Sequence, residues 1–149
     1  NFVLNNIVGL NVFGLAPIPN TNGIVIQSSD GNIIGGSEFS EANFIGGNLE
    51  VGIVVTNLSK NNKIIGNYLG FNPNDSENAS LGNRADGISL EGGATGNFIG
   101  TAVAGEGNLI GHSQEFVDSA GIYVAPDSGI DNSILGNSVG VFQFGEGQE

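Results

Sequence analysis

The chain has 149 residues, a formal net charge of −12 at pH 7 and no cysteine. The negative charge repels phosphate backbones and argues against nucleic acid as a partner, while the lack of cysteine excludes disulfides and thiolate metal sites. No apolar run approaches the roughly 20 residues of a membrane-spanning helix, so we expect no membrane insertion. The 26 glycines, with asparagine nearly as frequent, are typical of a turn-rich β-protein.

Three short phrases recur along the chain, and each has the composition of a β-strand beside a turn. The first phrase, Gly-Ile-x-aliphatic, begins at Gly23, Gly52, Gly87 and Gly121. The other two are an asparagine followed by a few mostly apolar residues and a glycine. The second begins at Asn32, Asn62, Asn97 and Asn132, and the third at Asn43, Asn67, Asn108 and Asn137. In the opening unit, this pair of phrases is predicted at Asn6 and Asn11.

The spacing of the phrases predicts a coiled architecture. The third phrase follows the second after five residues in the units of Asn62 and Asn132, and after eleven in those of Asn32 and Asn97. Three short strands cannot bury a core alone, but units that stack in parallel share one core. We therefore expect a single domain, 1–149, of about five coils with three short strands each. Their approximate bounds are 1–22, 23–51, 52–86, 87–120 and 121–149.

These phrases resemble the repeats of right-handed parallel β-helices, which occur in secreted bacterial proteins and across the pectate-lyase-like superfamily. The resemblance covers essentially the whole chain. It implies an all-β fold, a right-handed parallel β-helix (β-solenoid). It does not imply one function, because this scaffold carries lyases, hydrolases, epimerases, adhesins and tail fibres.

The repeated corner asparagines have a structural explanation. Asparagine tolerates positive φ, its side chain bonds nearby backbone groups, and one asparagine per coil can bond those above and below it. The predicted ladder consists of Asn6, Asn32, Asn62, Asn97 and Asn132.

Alternation along the first strand of each coil separates inward from outward side chains. The predicted inward residues are Ile24, Ile26, Ile53, Val55, Ile88, Leu90, Ile122 and Val124. The outward column is a partly apolar strip made of Val25, Val54, Ser89 and Tyr123. This strip could bind a sugar face or a partner, or it could be covered by loops from adjacent corners.

No caps are evident at the predicted coil ends, which begin and finish in strand phrases. End coils without caps present bare core and unpaired strand edges. Three interpretations are open: the chain is a segment of a longer rod, it is a subunit that stacks end to end with other copies, or the long loops contain a cap.

No catalytic constellation is recognisable. His112 stands in Gly-His-Ser, whereas the polygalacturonases of the resembled superfamily use Gly-His-Gly with aspartates and an Arg-x-Lys element. Arg84 is the one position where the arginine base of a pectate lyase could be sought. No carboxylate pair is placed as a glycosidase requires. We therefore expect a protein that is not an enzyme, with no catalytic residue, no metal site and no cofactor.

Two further features concern surface loops. The oxygen-rich segment 71–80 could hold a weak structural calcium, because carboxylates and asparagine oxygens are calcium ligands. Sequons at Asn57, Asn74 and Asn78 are glycosylation candidates. Of these, Asn74 and Asn78 share the 71–80 segment and are the better ones.

The sequence therefore predicts a secreted or cell-surface, non-enzymatic structural β-solenoid: a filament subunit, rod or adhesin stalk that self-associates end to end. The alternative is a polysaccharide-binding or polysaccharide-active β-helix domain of the lyase or hydrolase type, with polysaccharide as its partner.

Overall fold

A computed structural model of the chain describes residues 1–73, 81–111 and 119–140. These residues form three parallel sheets of very short strands and one turn of 3₁₀-helix, η1, at Phe39–Glu41. Sheet A consists of β1 (Phe2–Val3), β4 (Ile33–Ile34), β7 (Lys63–Ile64), β10 (Phe98–Ile99) and β13 (Ser133–Ile134). Sheet B consists of β2 (Ile7–Val8), β5 (Phe44–Ile45), β8 (Tyr68–Leu69), β11 (Leu109–Ile110) and β14 (Ser138–Val139). Sheet C consists of β3 (Ile24–Gln27), β6 (Ile53–Thr56), β9 (Ile88–Leu90) and β12 (Ile122–Val124).

The strand pairing shows that the chain winds as a solenoid. Each strand pairs in parallel with the equivalent strand one turn later, as Ile64 does with Ile99 in sheet A and Leu69 with Ile110 in sheet B. The chain passes from sheet C to sheet A to sheet B four times, after a first turn that contains β1 and β2. The predicted all-β parallel solenoid is therefore confirmed, although the first turn, as described, has two strands rather than three. The right-handed sense of winding stays a prediction.

The core is a set of apolar columns along the solenoid axis. Because side chains alternate along a strand, each inward residue stacks on its equivalent in the next turn. The columns of the middle turns are fully buried and form one cluster with members such as Ile53, Ile64, Ile88 and Ile99. This shared burial stabilises strands that are only two to four residues long.

The first turn differs from the prediction. Its two strand phrases begin at Asn1 and Asn6, because β1 aligns with β4 and β2 with β5. Asn11 instead stabilises a turn, in which its Oδ1 accepts hydrogen bonds from the backbone N–H groups of Phe13 and Leu15 at 3.2 and 3.0 Å. The Asn-apolar-Gly composition is the same in a turn and in a strand, so only the register against the second turn separates the two.

The packing around Gly66 explains why long and short corners alternate between sheets A and B. The corner that contains Gly66 is short, and the corners between sheets A and B in the turns before and after it are long. These long corners close over it: a Cβ added to Gly66 would lie 1.9 Å from the carbonyl oxygen of Gly36 and 2.8 Å from that of Gly105. Its φ of 61° also favours glycine. The loops of the second and fourth turns therefore meet above the third.

Candidate functional site

A ladder of asparagines runs along the corner between sheets C and A. In each step, the side-chain amide of one asparagine donates to the side-chain oxygen of the next, at 2.7 to 3.1 Å. The members are Asn1, Asn32, Asn62, Asn97 and Asn132. Four of them were predicted, but Asn6 is not a member. Asn1 takes the first position because β1, and not β2, begins sheet A.

A second ladder runs along the corner between sheets A and B. Its amide-to-oxygen distances are 2.9 to 3.0 Å. The members are Asn6, Asn43, Asn67, Asn108 and Asn137. Sequence reasoning missed this ladder, because it assigned one stacked asparagine to each coil. The signal was present, since four of these residues open the third phrase.

Asn67 shows why the ladder positions are asparagine. Its Oδ1 accepts the backbone N–H and the side-chain amide of Asn43, at 3.3 and 2.9 Å. Its Nδ2 donates to Oδ1 of Asn108 at 3.0 Å and to the carbonyl oxygen of Ile34 at 2.9 Å. A carboxylate would lack the donors and an aliphatic side chain would lack both functions. Among the described residues, no buried side-chain nitrogen or oxygen is without a partner.

A shorter third ladder lies at the corner between sheets B and C. Asn20 donates its amide to Asn48 Oδ1 at 3.3 Å, and Asn48 donates to Asn83 Oδ1 at 2.8 Å. It was not predicted. The available signal was an asparagine three or four residues before the first phrase of three successive coils. All three corners of the solenoid therefore use the same amide chemistry.

The two ends of the described solenoid expose inner positions. At the C-terminal end Ile134 is 41% and Val139 is 54% exposed, whereas their column neighbours Ile99 and Ile110 are buried. At the N-terminal end a depression of about 400 Å³ lies over β3 and is lined by inner side chains such as Val3. Within the described residues, β1, β2, β13 and β14 each have one edge without a partner strand. Both end faces thus combine apolar surface with open backbone edges.

The outward column of sheet C is in register but is not a continuous exposed strip. Val25, Val54, Ser89 and Tyr123 are direct neighbours across the sheet. Val54 is 7% and Ser89 is 2% exposed, so the centre of the column is covered. Only Val25 and Tyr123 remain exposed, at opposite ends. Of the two interpretations of this column, the burial at its centre favours a covered column over an open four-residue strip.

A cleft of about 560 Å³ opens where the two long corner loops approach each other. One wall comes from the loop with η1 and carries Glu38 and Phe39, and the other carries Thr101 and Val103. Its volume falls within the ~300–1,000 Å³ of small-molecule sites. Thr101 Oγ1 is hydrogen bonded to Glu106 Oε2 at 2.5 Å, which ties the second loop to itself.

Four aromatic rings hold the first wall of this cleft. Phe44 and Tyr68 are stacked in adjacent turns, with ring centroids 5.3 Å apart and an interplanar angle of 10°. Phe39 meets both rings nearly at right angles, and Phe71 packs against the edge of Tyr68. Since 53% of Phe39 is exposed, an aromatic surface faces the cleft from a fixed position. Sequence reasoning missed this cluster, because its members come from different turns.

Several predicted positions lie outside the described residues. These are His112, Asn74, Asn78 and most of the calcium segment 71–80. Arg84 is described and exposed, and its carbonyl oxygen accepts a hydrogen bond from the Ser119 hydroxyl at 3.4 Å.

The remaining sequon, at Asn57, lies on an exposed turn. Its third residue, Ser59, is buried, and the Ser59 hydroxyl donates to the Thr56 carbonyl oxygen at 2.6 Å. Glycosylation of Asn57 in the folded chain would therefore require this turn to open.

The described parts of the chain contain no group of three or more His, Cys, Asp or Glu side chains that could hold a metal ion. In the same segments, no helix has the length and hydropathy needed to cross a membrane.

No protein-family model, curated protein or solved structure matches this chain. The structure by itself defines the class: a parallel β-solenoid with asparagine ladders at its corners.

Proposed function

We propose that this protein is a non-enzymatic, extracellular structural solenoid, a rod or filament subunit whose end coils associate with those of other copies. The observation that carries the proposal is the continuity of the coil pattern up to both ends of the described chain. Sheets A and B, their inner columns and the two longer ladders run from the first described turn to the last. Each end therefore offers the surface on which a further coil would normally pack.

Three properties support a structural role. The backbone bonds run between turns along the rod axis, and buried amide ladders reinforce every corner. Buried hydrogen bonds of this kind cooperate and fix a single register. The charge of −12 would keep rods from associating sideways, while contact through the apolar ends stays possible.

Electron microscopy and sedimentation velocity test this proposal over a range of protein concentrations. We expect rods that lengthen with concentration and have an axial repeat of about 24 Å, the height of five turns at roughly 4.8 Å each. A parallel assay with polysaccharides should show no turnover. Globular particles of constant size at every concentration, or hydrolysis of any tested polymer, would contradict the proposal.

Polysaccharide binding is a second candidate function, and the loop cleft favours it. Phe39 offers an aromatic surface, while Glu38 and the backbone of several glycines offer hydrogen bonds. The aromatic ring can pack against the apolar face of a sugar ring, and the polar groups can form hydrogen bonds with its hydroxyl groups. The acidic surface favours neutral polymers over polyuronates.

Retention on immobilised neutral and acidic polysaccharides tests the second function. Phe39→Ala should abolish retention on a neutral polymer, and Phe98→Ala should not. Phe98 is a suitable control because it is also exposed, on sheet A, and does not line the cleft. Equal retention of both variants would show that the cleft is not the binding site.

A further inference from the structure

The loop cleft is formed mostly by the three middle turns of the described solenoid. Its two walls belong to the second and fourth turns, and its floor contains Tyr68 and Leu109, which are direct neighbours in sheet B. The two wall loops also touch, because a Cβ added to Gly105 would lie 2.3 Å from the carbonyl oxygen of Ser37. Since both of these residues line the cleft, their contact bounds one side of it. The shape of the cleft is therefore a property of the stacked middle turns.

The backbone that carries Glu38 and Phe39 is held in place by the fold. The Glu38 N–H donates to Glu41 Oε2 at 3.3 Å, and the Glu41 N–H donates to the Glu38 carbonyl oxygen at 2.9 Å. The centroid of the Phe39 ring lies 5.7 Å from that of Tyr68 and 5.8 Å from that of Phe44. A ligand therefore meets a preformed aromatic surface, which lowers the entropic cost of binding.

Both walls of the cleft bring carboxylates. Glu38 lines the first wall, and Glu41 is bonded to its backbone. On the second wall, the Thr101 hydroxyl that lines the cleft is hydrogen bonded to the carboxylate of Glu106. Among the described residues, no lysine, arginine or histidine lines the cleft. Because the net charge of −12 has the same sign, the cleft attracts cationic ligands and repels anionic ones.

An aromatic surface beside a carboxylate binds organic cations. A protonated amine is attracted by the face of an aromatic ring and by the negative charge of a carboxylate. A bare metal ion would need six to eight oxygen ligands in the case of calcium. The described residues contain no group of three or more carboxylate or other ligating side chains. The volume of about 560 Å³ also fits a small organic molecule better than a single ion.

We propose that the loop cleft binds a sugar unit that carries a protonated amine. The apolar face of the sugar ring packs against Phe39, and the amine is directed toward the carboxylate of Glu38. The backbone of the lining glycines supplies hydrogen bonds to the hydroxyl groups. This inference rests on the polysaccharide-binding function proposed above and adds the class of glycan, a polymer with free amino sugars.

A titration followed by nuclear magnetic resonance tests the preference for an amine. The probes are β-linked trisaccharides of glucosamine, of N-acetylglucosamine and of glucose, which share one ring and differ at one substituent. At mildly acidic pH only the glucosamine trisaccharide is charged. We expect it to bind roughly tenfold more tightly than the other two, since it adds a cation–π contact and an ion pair.

Two charge variants separate the cleft from the overall charge of the protein. Glu38→Gln should lower the affinity for the glucosamine trisaccharide about threefold and leave the affinity for the neutral ones unchanged. Asp127→Asn is the matched control, because it removes the same charge from an exposed residue that does not line the cleft. It should leave the affinity for all three probes nearly unchanged.

Two ring variants test the aromatic surface. Phe39→Ala should lower the affinity for all three trisaccharides, whereas Phe98→Ala, on the exposed face of sheet A, should not. Circular dichroism and the thermal midpoint check the folding of every variant. If Phe39→Ala fails to fold, Phe39→Leu removes the ring and keeps an apolar side chain.

The possible failures are distinguishable. Equal affinity for the charged and the neutral trisaccharides would overturn the preference for an amine and leave the cleft as a sugar site. Equal losses in Glu38→Gln and Asp127→Asn would show that the overall charge attracts the probe, which also overturns the preference. No binding of any trisaccharide would overturn the polysaccharide-binding function itself.

Discussion

The side-chain amide of Asn67 lies 3.0 Å from the side-chain oxygen of Asn108, although 41 positions separate the two residues in the chain. This contact joins the third and fourth turns at the corner between sheets A and B. Both residues are completely buried, so the amide groups have no access to water and depend on each other for hydrogen bonds. The stability of each corner therefore depends on the neighbouring turns.

Replacement of Asn67 by alanine should be strongly destabilising. It would leave the two donors of Asn43 without their acceptor, while the oxygen of Asn108 would keep only the backbone N–H of residue 67. A buried unpaired polar group costs about 1–3 kcal/mol. We expect a loss of at least about 2 kcal/mol in the free energy of unfolding. Asn6→Ala is the matched control in the same ladder, since Asn6 is exposed at the end of the solenoid. Chemical denaturation of both variants measures the difference, and equal losses would contradict the burial argument.

Gly66 and Gly31 separate the steric cost of a side chain from its conformational cost. Both glycines have φ above 60°, so an alanine at either position meets the same backbone penalty of about 1 kcal/mol. A Cβ at Gly66 would clash with the Gly36 carbonyl oxygen, whereas a Cβ at Gly31 has no atom within 4 Å. Gly66→Ala should therefore lower the thermal midpoint clearly more than Gly31→Ala. Similar midpoints would mean that the two long loops do not close over the third turn.

The inner column of sheet A predicts that truncation of a core side chain destabilises the protein more at the centre of the solenoid than in its last described turn. Ile64 is completely buried at the centre of the solenoid, and Ile134 occupies the same column in the last described turn. Ile64→Ala should cost about 2–5 kcal/mol because it leaves a cavity. Ile134→Ala should cost much less in dilute solution. Denaturation at low concentration tests this, and a large effect at Ile134 would show that its side chain is buried in the single chain.

The aromatic cluster predicts a spectroscopic difference between the two tyrosines. Tyr68 is packed among three phenylalanine rings, whereas Tyr123 is exposed and has no ring contact in the described part of the chain. Since the chain has no tryptophan, the tyrosines should dominate its near-ultraviolet circular dichroism. Tyr68→Leu should remove most of the tyrosine signal, and Tyr123→Leu should leave it. If Tyr123→Leu had the larger effect, the packing described for Tyr68 would be wrong.

The strand positions of the four complete turns could be predicted from sequence because each strand phrase is local. Apolar residues at every second position, bounded by glycine and asparagine, identify strands such as β6 and β9 without knowledge of their neighbours. The repeat at 29 to 35 residues then determines which strands pair. Four members of the first asparagine ladder follow from the same spacing. The opening turn was misplaced by one phrase because an asparagine followed by apolar residues and a glycine has the same composition in a turn and in a strand.

Tertiary structure decided the features that depend on contacts between turns. The burial of Val54 and Ser89, the meeting of two long loops above Gly66 and the cluster around Tyr68 all join residues from different coils. The direction of the ladders is also invisible in sequence, since an asparagine can donate or accept toward either neighbour. The sequence by itself determined the solenoid and its repeat, because the burial pattern of a strand and the chemistry of a turn depend on residues that are close together in the chain. Only the stacked turns decided which surfaces are covered and in which direction each asparagine bonds the next, because those properties arise from the packing of one coil on the next.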